Sequence, residues 1–170
     1  MRSALKIIQI HKKVLRSSFQ IILGTETSWN ESVKSEEIFG SNYNVFRDDR
    51  DLHISQKMSG GGVLVAVSSE FNSEFIPSLK FKEFDHVWVK TEIAGKIHIF
   101  ASVYFPPDQA CKSTYETFFE SAEELMSGFP PEYKVHVYGD FNQRNADFIP
   151  DSENDSIPAF LQDSMKTLHS

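Results

Sequence analysis

Two polar residues late in the chain have the types and spacing for chemistry. Lys134 to Asn142 reads KVHVYGDFN. Val135 and Val137 alternate with His136 and Tyr138, the period of a strand with one buried face. Gly139 frees the backbone to turn, and Asp140 and Asn142 stand at the mouth of that turn. An Asp supplies charge for a hard cation, or a base for water. An Asn supplies a donor and an acceptor in one planar group. A rigid strand that delivers both into a loop is a common way to build a polar site. A plain turn explains the same letters, because Gly, Asp and Asn all form turns.

A second acid stands in the same relation to a second strand. Phe19 to Leu23, FQIIL, is a continuous apolar run that suits a strand buried on both sides. Gly24, Thr25, Glu26 and Thr27 follow it. Acids at the ends of two core strands converge if the strands are neighbours. The alternative is a helix start capped by Thr25 or Thr27, with Glu26 or Glu31 in its first turn.

The remaining chain must supply the scaffold. Leu5 to Ile10 is a short strand, and His11 to Ser18 is basic without a clear element. Trp29 to Gly40 is a short helix or loop, Tyr43 to Phe46 a strand, and Arg47 to Met58 a solvated charged loop containing DDRD. Gly60, Gly61 and Gly62 lead into Val63 to Val67, a buried strand. The glycines lack the Lys-Ser/Thr of a phosphate loop and no helix follows, which excludes nucleotide binding there. Close backbone approach at a strand start explains them. Phe84 to Ile93 and Ile97 to Tyr104 alternate cleanly around Ala94-Gly95-Lys96, a hairpin whose second strand stops at Pro106-Pro107. Ser113 to Met126 is a helix with Tyr115, Phe118, Phe119, Ala122, Leu125 and Met126 on one face. Ser113 and Glu116 form its capping box, and Gly128 and Pro130-Pro131 end it. Gln143 to Asp155 is polar and acidic, and Ile157 to Leu168 is a last amphipathic helix. Many alternating strands and few helices predict an α+β chain of two packed, mainly antiparallel sheets flanked by helices. A doubly wound parallel sheet needs more crossover helices than the sequence offers.

The totals set limits. The 170 residues, 40% hydrophobic, suffice for one domain with a core, and most of the 15 Phe belong in it. A net charge of −7 excludes coating of nucleic acid by bulk positive charge. It leaves room for a local site in which a divalent cation offsets carboxylates. Met1 to Gln20 runs against the balance, with Arg2, Lys6, Lys12, Lys13 and Arg16 and no acid. That stretch is a solvated basic face or a phosphate contact. Cys111 is the sole cysteine, so no intramolecular disulfide forms and a reducing compartment fits. The opening MRSALKIIQIHKK is too short and too charged in its apolar run for a signal peptide, and no stretch has the length of a membrane span. The expectation is an intracellular protein with no membrane role, nucleus and cytoplasm not distinguished. The six His and one Cys show no zinc-ligand spacing.

FQIILGTETSW, SGGGVLVAV, FDHVWVK, IHIFASVYFPP and VHVYGDFN, in this order and spacing, resemble the endonuclease/exonuclease/phosphatase superfamily. The nearest likeness is to the apurinic-endonuclease-like domain of non-LTR (jockey-type) retrotransposons, and it runs from about Phe19 to Asn142. The resemblance implies a four-layer α/β/β/α sandwich that hydrolyses phosphodiesters with Mg²⁺ (or Mn²⁺) and takes DNA as its partner. By resemblance Glu26 is the metal ligand, and Asp140 shares that site and orients or deprotonates the attacking water. Asn142 holds the phosphate or the water, and Tyr104 of VYFPP donates to the scissile phosphate. Such hydrolysis places negative charge on oxygens that already repel a nucleophile, so a cation and aimed donors fit the task. The plain alternative for Tyr104 is a half-buried aromatic at a strand end.

The pattern departs from the family in two places. The family carries an Asn at the end of its first strand, where this sequence offers Gln9 or His11. It also continues past GDFN through further strands to an Asp-His pair, and His169 stands too close in sequence to Asp140 to be that His. The expectation is one domain over residues 1–170, an incomplete sandwich lacking the family's C-terminal strands, with low or no turnover. A catalytically dead remnant and an interaction module that associates through exposed sheet edges remain alternatives. In every case Glu26, Tyr104 and Asp140 are expected to share one cleft.

Overall fold

A computed structural model describes residues 14, 19–49, 60–77, 84–108 and 110–142. The strand expected at Leu5–Ile10 with Gln9 and His11, most of the charged loop after Asp49, and the helix expected at Ile157–Leu168 with His169 lie outside the described residues. In chain order the elements are β1 (Ile21–Thr25), α1 (Ser35–Phe39), β2 (Tyr43–Asp48), β3 (Val63–Ser68) and β4 (Ser73–Phe75). Then come β5 (Asp85–Ile93), β6 (Lys96–Tyr104), α2 (Lys112–Ser127) and β7 (Lys134–Asp140).

Strand alternation builds the layers. Successive side chains point to opposite faces, and in β3 both faces are apolar. Val63, Val65 and Val67 enter a cluster with Val87, Val89, Phe100 and Tyr104, which fills the gap between the two sheets. Leu64 and Ala66 turn the other way and pack with Trp29, Ile38, Phe39 and Val14. On β5 and β6, Trp88, Ile99, Ala101 and Val103 leave the inter-sheet gap and join Tyr115, Phe118 and Ala122 of α2. The order is therefore α1, first sheet, second sheet, α2. This is an α+β sandwich of two mainly antiparallel sheets.

The first sheet has the order β1-β3-β2 and is antiparallel throughout. The second has the order β4-β5-β6-β7, antiparallel except for the β6–β7 pair, which is parallel. A parallel pair needs a crossover, and α2 supplies it. The β5–β6 hairpin closes through Ala94 and Gly95 at φ 51° and 73°. Two positive φ values in a two-residue loop match the right-handed twist of the strands.

Four local expectations are corrected. Phe19 to Leu23 is not buried on both sides. The strand begins at Ile21, its residues are half-buried, and Phe19 is 60% exposed; among the described residues β1 pairs with β3 alone. Arg47 is not in a solvated loop. It belongs to β2 and donates to the carbonyls of Asn30 and Val33 at 3.0 and 2.6 Å while pairing with Asp49 and lying 5.3 Å over the Trp29 ring. The Ser113–Glu116 capping box does not form. The N-cap is Cys111, two residues earlier, so Ser113 falls inside the first turn and Glu116 faces Lys112 at 3.5 Å. The fourth concerns Gly139. It does not open a turn, since β7 runs on through Asp140 and Gly139 pairs with Val103.

At the starts of β6 and β7, the Nδ1 of His98 and Nε2 of His136 lie 3.0 Å apart in rings tilted by 7°. Burial pushes both imidazoles below the ordinary value of 6.5, with Lys134 and Lys96 adding to it at His98, and His98 and Lys134 at His136. The unfolded chain therefore takes up these protons first as pH falls. Stability present above pH 6.5 is lost as pH drops below it, toward the folded-state values. Thermal melts between about pH 7 and pH 5 should show the midpoint falling, and a His98→Asn/His136→Gln variant should show a smaller fall. An identical fall in both proteins would assign the acid sensitivity to other groups.

Candidate active site

One rung of the second sheet collects the polar residues. The β5–β6 register sets Asp85 opposite Tyr104, and the β6–β7 register sets Tyr104 opposite Asp140. The register holds because Gly139 has no side chain: a Cβ there would lie 2.1 Å from the Val103 carbonyl oxygen. Tyr104 points into the inter-sheet gap and is 3% exposed.

The first sheet delivers Glu26 to the same place. Ser102, fully buried, donates to the Gly24 carbonyl at 3.0 Å and ties the end of β1 to β6 across the gap. Glu26 follows two residues later, exposed, with its backbone in the left-handed region at φ 51°. The Tyr104 hydroxyl donates to Glu26 Oε1 at 2.9 Å. No helix begins at Glu26; α1 starts at Ser35, and Thr27 accepts only a long 3.4 Å bond from the Trp29 N–H.

Asp140 and Asn142 are fixed by the chain around Phe105. The Phe105 N–H donates to the Asp140 carbonyl at 2.9 Å, and the Asn142 amide donates through Nδ2 to the Phe105 carbonyl at 2.8 Å. The Asn142 N–H closes an Asx turn onto Asp140 Oδ1 at 3.1 Å, with Asn142 at φ 47°. The Phe105 ring, with no exposure, stacks or tilts against Phe84, Tyr115 and Phe141 at 4.9, 4.9 and 5.4 Å. Tyr115 donates to the Phe141 carbonyl at 2.5 Å. Burial, then the neighbouring Cys111 and Asp140, push the Tyr115 phenol above its usual value, so it stays a donor.

The structure thus brings Glu26 and Tyr104 into direct contact, sets Asp140 beside Tyr104, and ties Asn142 back to both Asp140 and Phe105. Ser102, Phe105, Tyr115, Phe141 and Asp85 were not singled out from the sequence. Phe141 had a signal there: an aromatic between two polar residues is a natural anchor for their loop. Among the described residues no three His, Cys, Asp or Glu side chains cluster as a ready-made metal cage. Mg²⁺ does not require one, since it keeps several waters and takes one or two carboxylates plus substrate phosphate. The oxygen donors of Glu26 and Asp140 fit that need.

Two facing, mainly antiparallel sheets thus carry, at one end, Tyr104 bonded to Glu26 and paired in register with Asp140. Solved structures share this fold. The zebrafish (D. rerio) TDP2 complexed with a single-strand DNA product matches at TM-score 0.57 and 12% identity, over 86% of this chain and 57% of that one. The endonuclease domain of TRAS1, a telomere-specific non-LTR retrotransposon, matches at TM-score 0.56 and 16% identity, over 95% of this chain and 63% of that one. The human Nocturnin catalytic domain with bound sulfate matches at TM-score 0.56 and 14% identity, over 82% and 57%. The chain spans less than two thirds of the length of each. No protein-family model matches it, and no curated protein matches it by sequence. No helix among the described residues is long and apolar enough to cross a membrane.

Two substitutions test this geometry. Tyr104→Phe removes a bond to an exposed carboxylate and should cost about 1 kcal/mol in urea unfolding, with the fold retained. Gly139→Ala drives a methyl into backbone and should cost about 3 kcal/mol in the same measurement, more than Tyr104→Phe.

Proposed function

We propose that this chain is a metal-dependent phosphodiester hydrolase domain of the retrotransposon endonuclease type, acting on DNA with low turnover. The observation that carries this reading is the Tyr104 hydroxyl bonded to Glu26 at 2.9 Å with Asp140 next to it in register. The fold shared with the TRAS1 endonuclease domain and with DNA-complexed TDP2 supports it.

Each residue has a role that follows from its atoms. Glu26 and Asp140 would hold Mg²⁺ or Mn²⁺, which when bound neutralises charge on the phosphate and lowers the pKa of water. Asp140 takes a proton from the attacking water through the carboxylate oxygen that the Asn142 N–H leaves open. Tyr104 releases Glu26 and donates to a phosphate oxygen, an exchange that needs rotation of Glu26 only, because the phenol is held in the core. Asn142 spends one amide hydrogen on Phe105, and its other hydrogen and its Oδ1 serve the phosphate or the water. The low turnover follows from the small set of residues that the resemblance carries over, Glu26, Tyr104, Asp140 and Asn142. Removing one such stabilising group typically lowers rates by about 10²–10³.

Nicking of supercoiled plasmid in Mg²⁺ tests the proposal. The expected result is slow nicking that EDTA abolishes and that Asp140→Ala lowers by about 10² or more. Equal nicking by parent and Asp140→Ala would assign the activity to a contaminant, and no nicking by either would favour a catalytically dead remnant.

A further inference from the structure

The loop carrying Glu26 is not held by Tyr104 alone. Glu26 and Ser28 both lie in the left-handed backbone region, at φ 51° and 54°. For residues with a Cβ such conformations are strained and persist only when their surroundings enforce them. The enforcement comes from the glycine run. The Thr27 N–H donates to the Gly62 carbonyl at 3.2 Å, the Ser28 N–H to the Gly61 carbonyl at 2.9 Å, and the Gly60 N–H to Ser28 Oγ at 3.0 Å.

Glycines themselves are poor anchors. Gly60, Gly61 and Gly62 sit at φ 89°, 77° and 80°, a stretch only glycine adopts readily and one that loses much entropy when ordered. Something outside the run must hold it. Asp85 does so: its Oδ2 accepts the Gly62 N–H at 2.7 Å. Asp85 is also the residue paired with Tyr104 across β5 and β6. Both supports of Glu26 therefore start from one rung of the second sheet. One is the Tyr104 phenol on the side chain. The other runs from Asp85 through Gly62 to the Thr27 backbone.

We propose that Asp85 is a positioning residue for Glu26: its carboxylate acts as an acceptor that locks the glycine run, and through it the backbone that aims the Glu26 carboxylate at the candidate cation site. The value of this for catalysis rests on the function proposed above; the mechanical claim does not. Asp85 touches neither cation nor substrate in this role. What it requires is an acceptor oxygen at that position rather than a negative charge, and that separates it from a third metal ligand.

Amide hydrogen exchange by NMR on the whole chain, comparing parent, Asp85→Ala and Asp85→Asn, tests the claim. In Asp85→Ala the amides of Gly62, Thr27 and Ser28 should exchange about tenfold faster, while those of Val65 and Val89 stay unchanged. The Tyr104 ring signals should shift, since Glu26 no longer meets the phenol in one geometry. Asp85→Asn keeps an acceptor oxygen and should retain near-parental exchange and Tyr104 signals. Unchanged exchange at Thr27 and Ser28 in Asp85→Ala would overturn the proposal. So would loss of protection in Asp85→Asn equal to that in Asp85→Ala, which would mean that charge and not the acceptor matters. If Asp85→Ala fails to fold, Asp85→Asn decides alone: retained protection upholds the acceptor role and lost protection ends it. Calorimetric titration with Mg²⁺ forms a separate arm, in which Asp85→Ala should bind about tenfold more weakly than the parent and Asp85→Asn equally well. A parent that binds no Mg²⁺ would count against the proposed function and leave the exchange result to judge Asp85.

Discussion

Where the polar residues gather, the Tyr104 phenol reaches across the gap between the sheets and donates to the Glu26 carboxylate. It depends on how two adjacent residues divide. Tyr104 points into the gap between the sheets, and Phe105 points to the opposite face, toward α2. Packing of both gaps is thus needed to set the phenol. The valines of β3 and β5 confine its ring, and the Phe84, Phe118 and Phe141 rings hold the neighbouring Phe105. Burying one such aromatic contributes about 1.5–3 kcal/mol, several times what a solvent-exposed pair such as Lys90–Glu74 can give. The site is therefore positioned by the core, and its exposed Glu26 and half-buried Asp140 hang from that core.

Much of this was legible in the sequence where one residue type repeats at one period. The hairpin, β3 and α2 stand out because their alternation or helical spacing decides which face is buried. Their pairings were less visible. Nothing local tells that Tyr104 is opposite Asp140, because that register is fixed by a distant pair, Gly139 against Val103. Gly139 reads as a turn former for the same reason: sequence shows the missing side chain but not the backbone it makes room for. Ser113 and Glu116 fit the capping pattern, yet the helix begins at Lys112, and moving the N-cap two residues back to Cys111 removes the box. Arg47 reads as part of a charged loop, and only the fold shows the carbonyls of Asn30 and Val33 beneath it.

The candidate site follows the same division. Asp140 and Asn142 announce themselves by their place after an alternating strand, and Glu26 by a parallel position. Tyr104 carries no such mark, since an aromatic at a strand end is ordinary; the family resemblance pointed to it, and the structure adds its bond to Glu26. The supporting groups escaped notice because each acts through backbone. Ser102 holds the Gly24 carbonyl, Tyr115 the Phe141 carbonyl and Asp85 the Gly62 N–H. Backbone partners leave no signature in side-chain types.

In the proposed function the acids at positions 26 and 140 address a single divalent cation beside Tyr104. Paramagnetic broadening of NMR signals by substoichiometric Mn²⁺ tests it most directly. Signals of Glu26, Tyr104 and Asp140 should broaden first and together, while those of His98 and His136, at the far end of the same strands, stay sharp. Broadening confined to other acidic surface residues, or affecting Glu26 without Asp140, would contradict it.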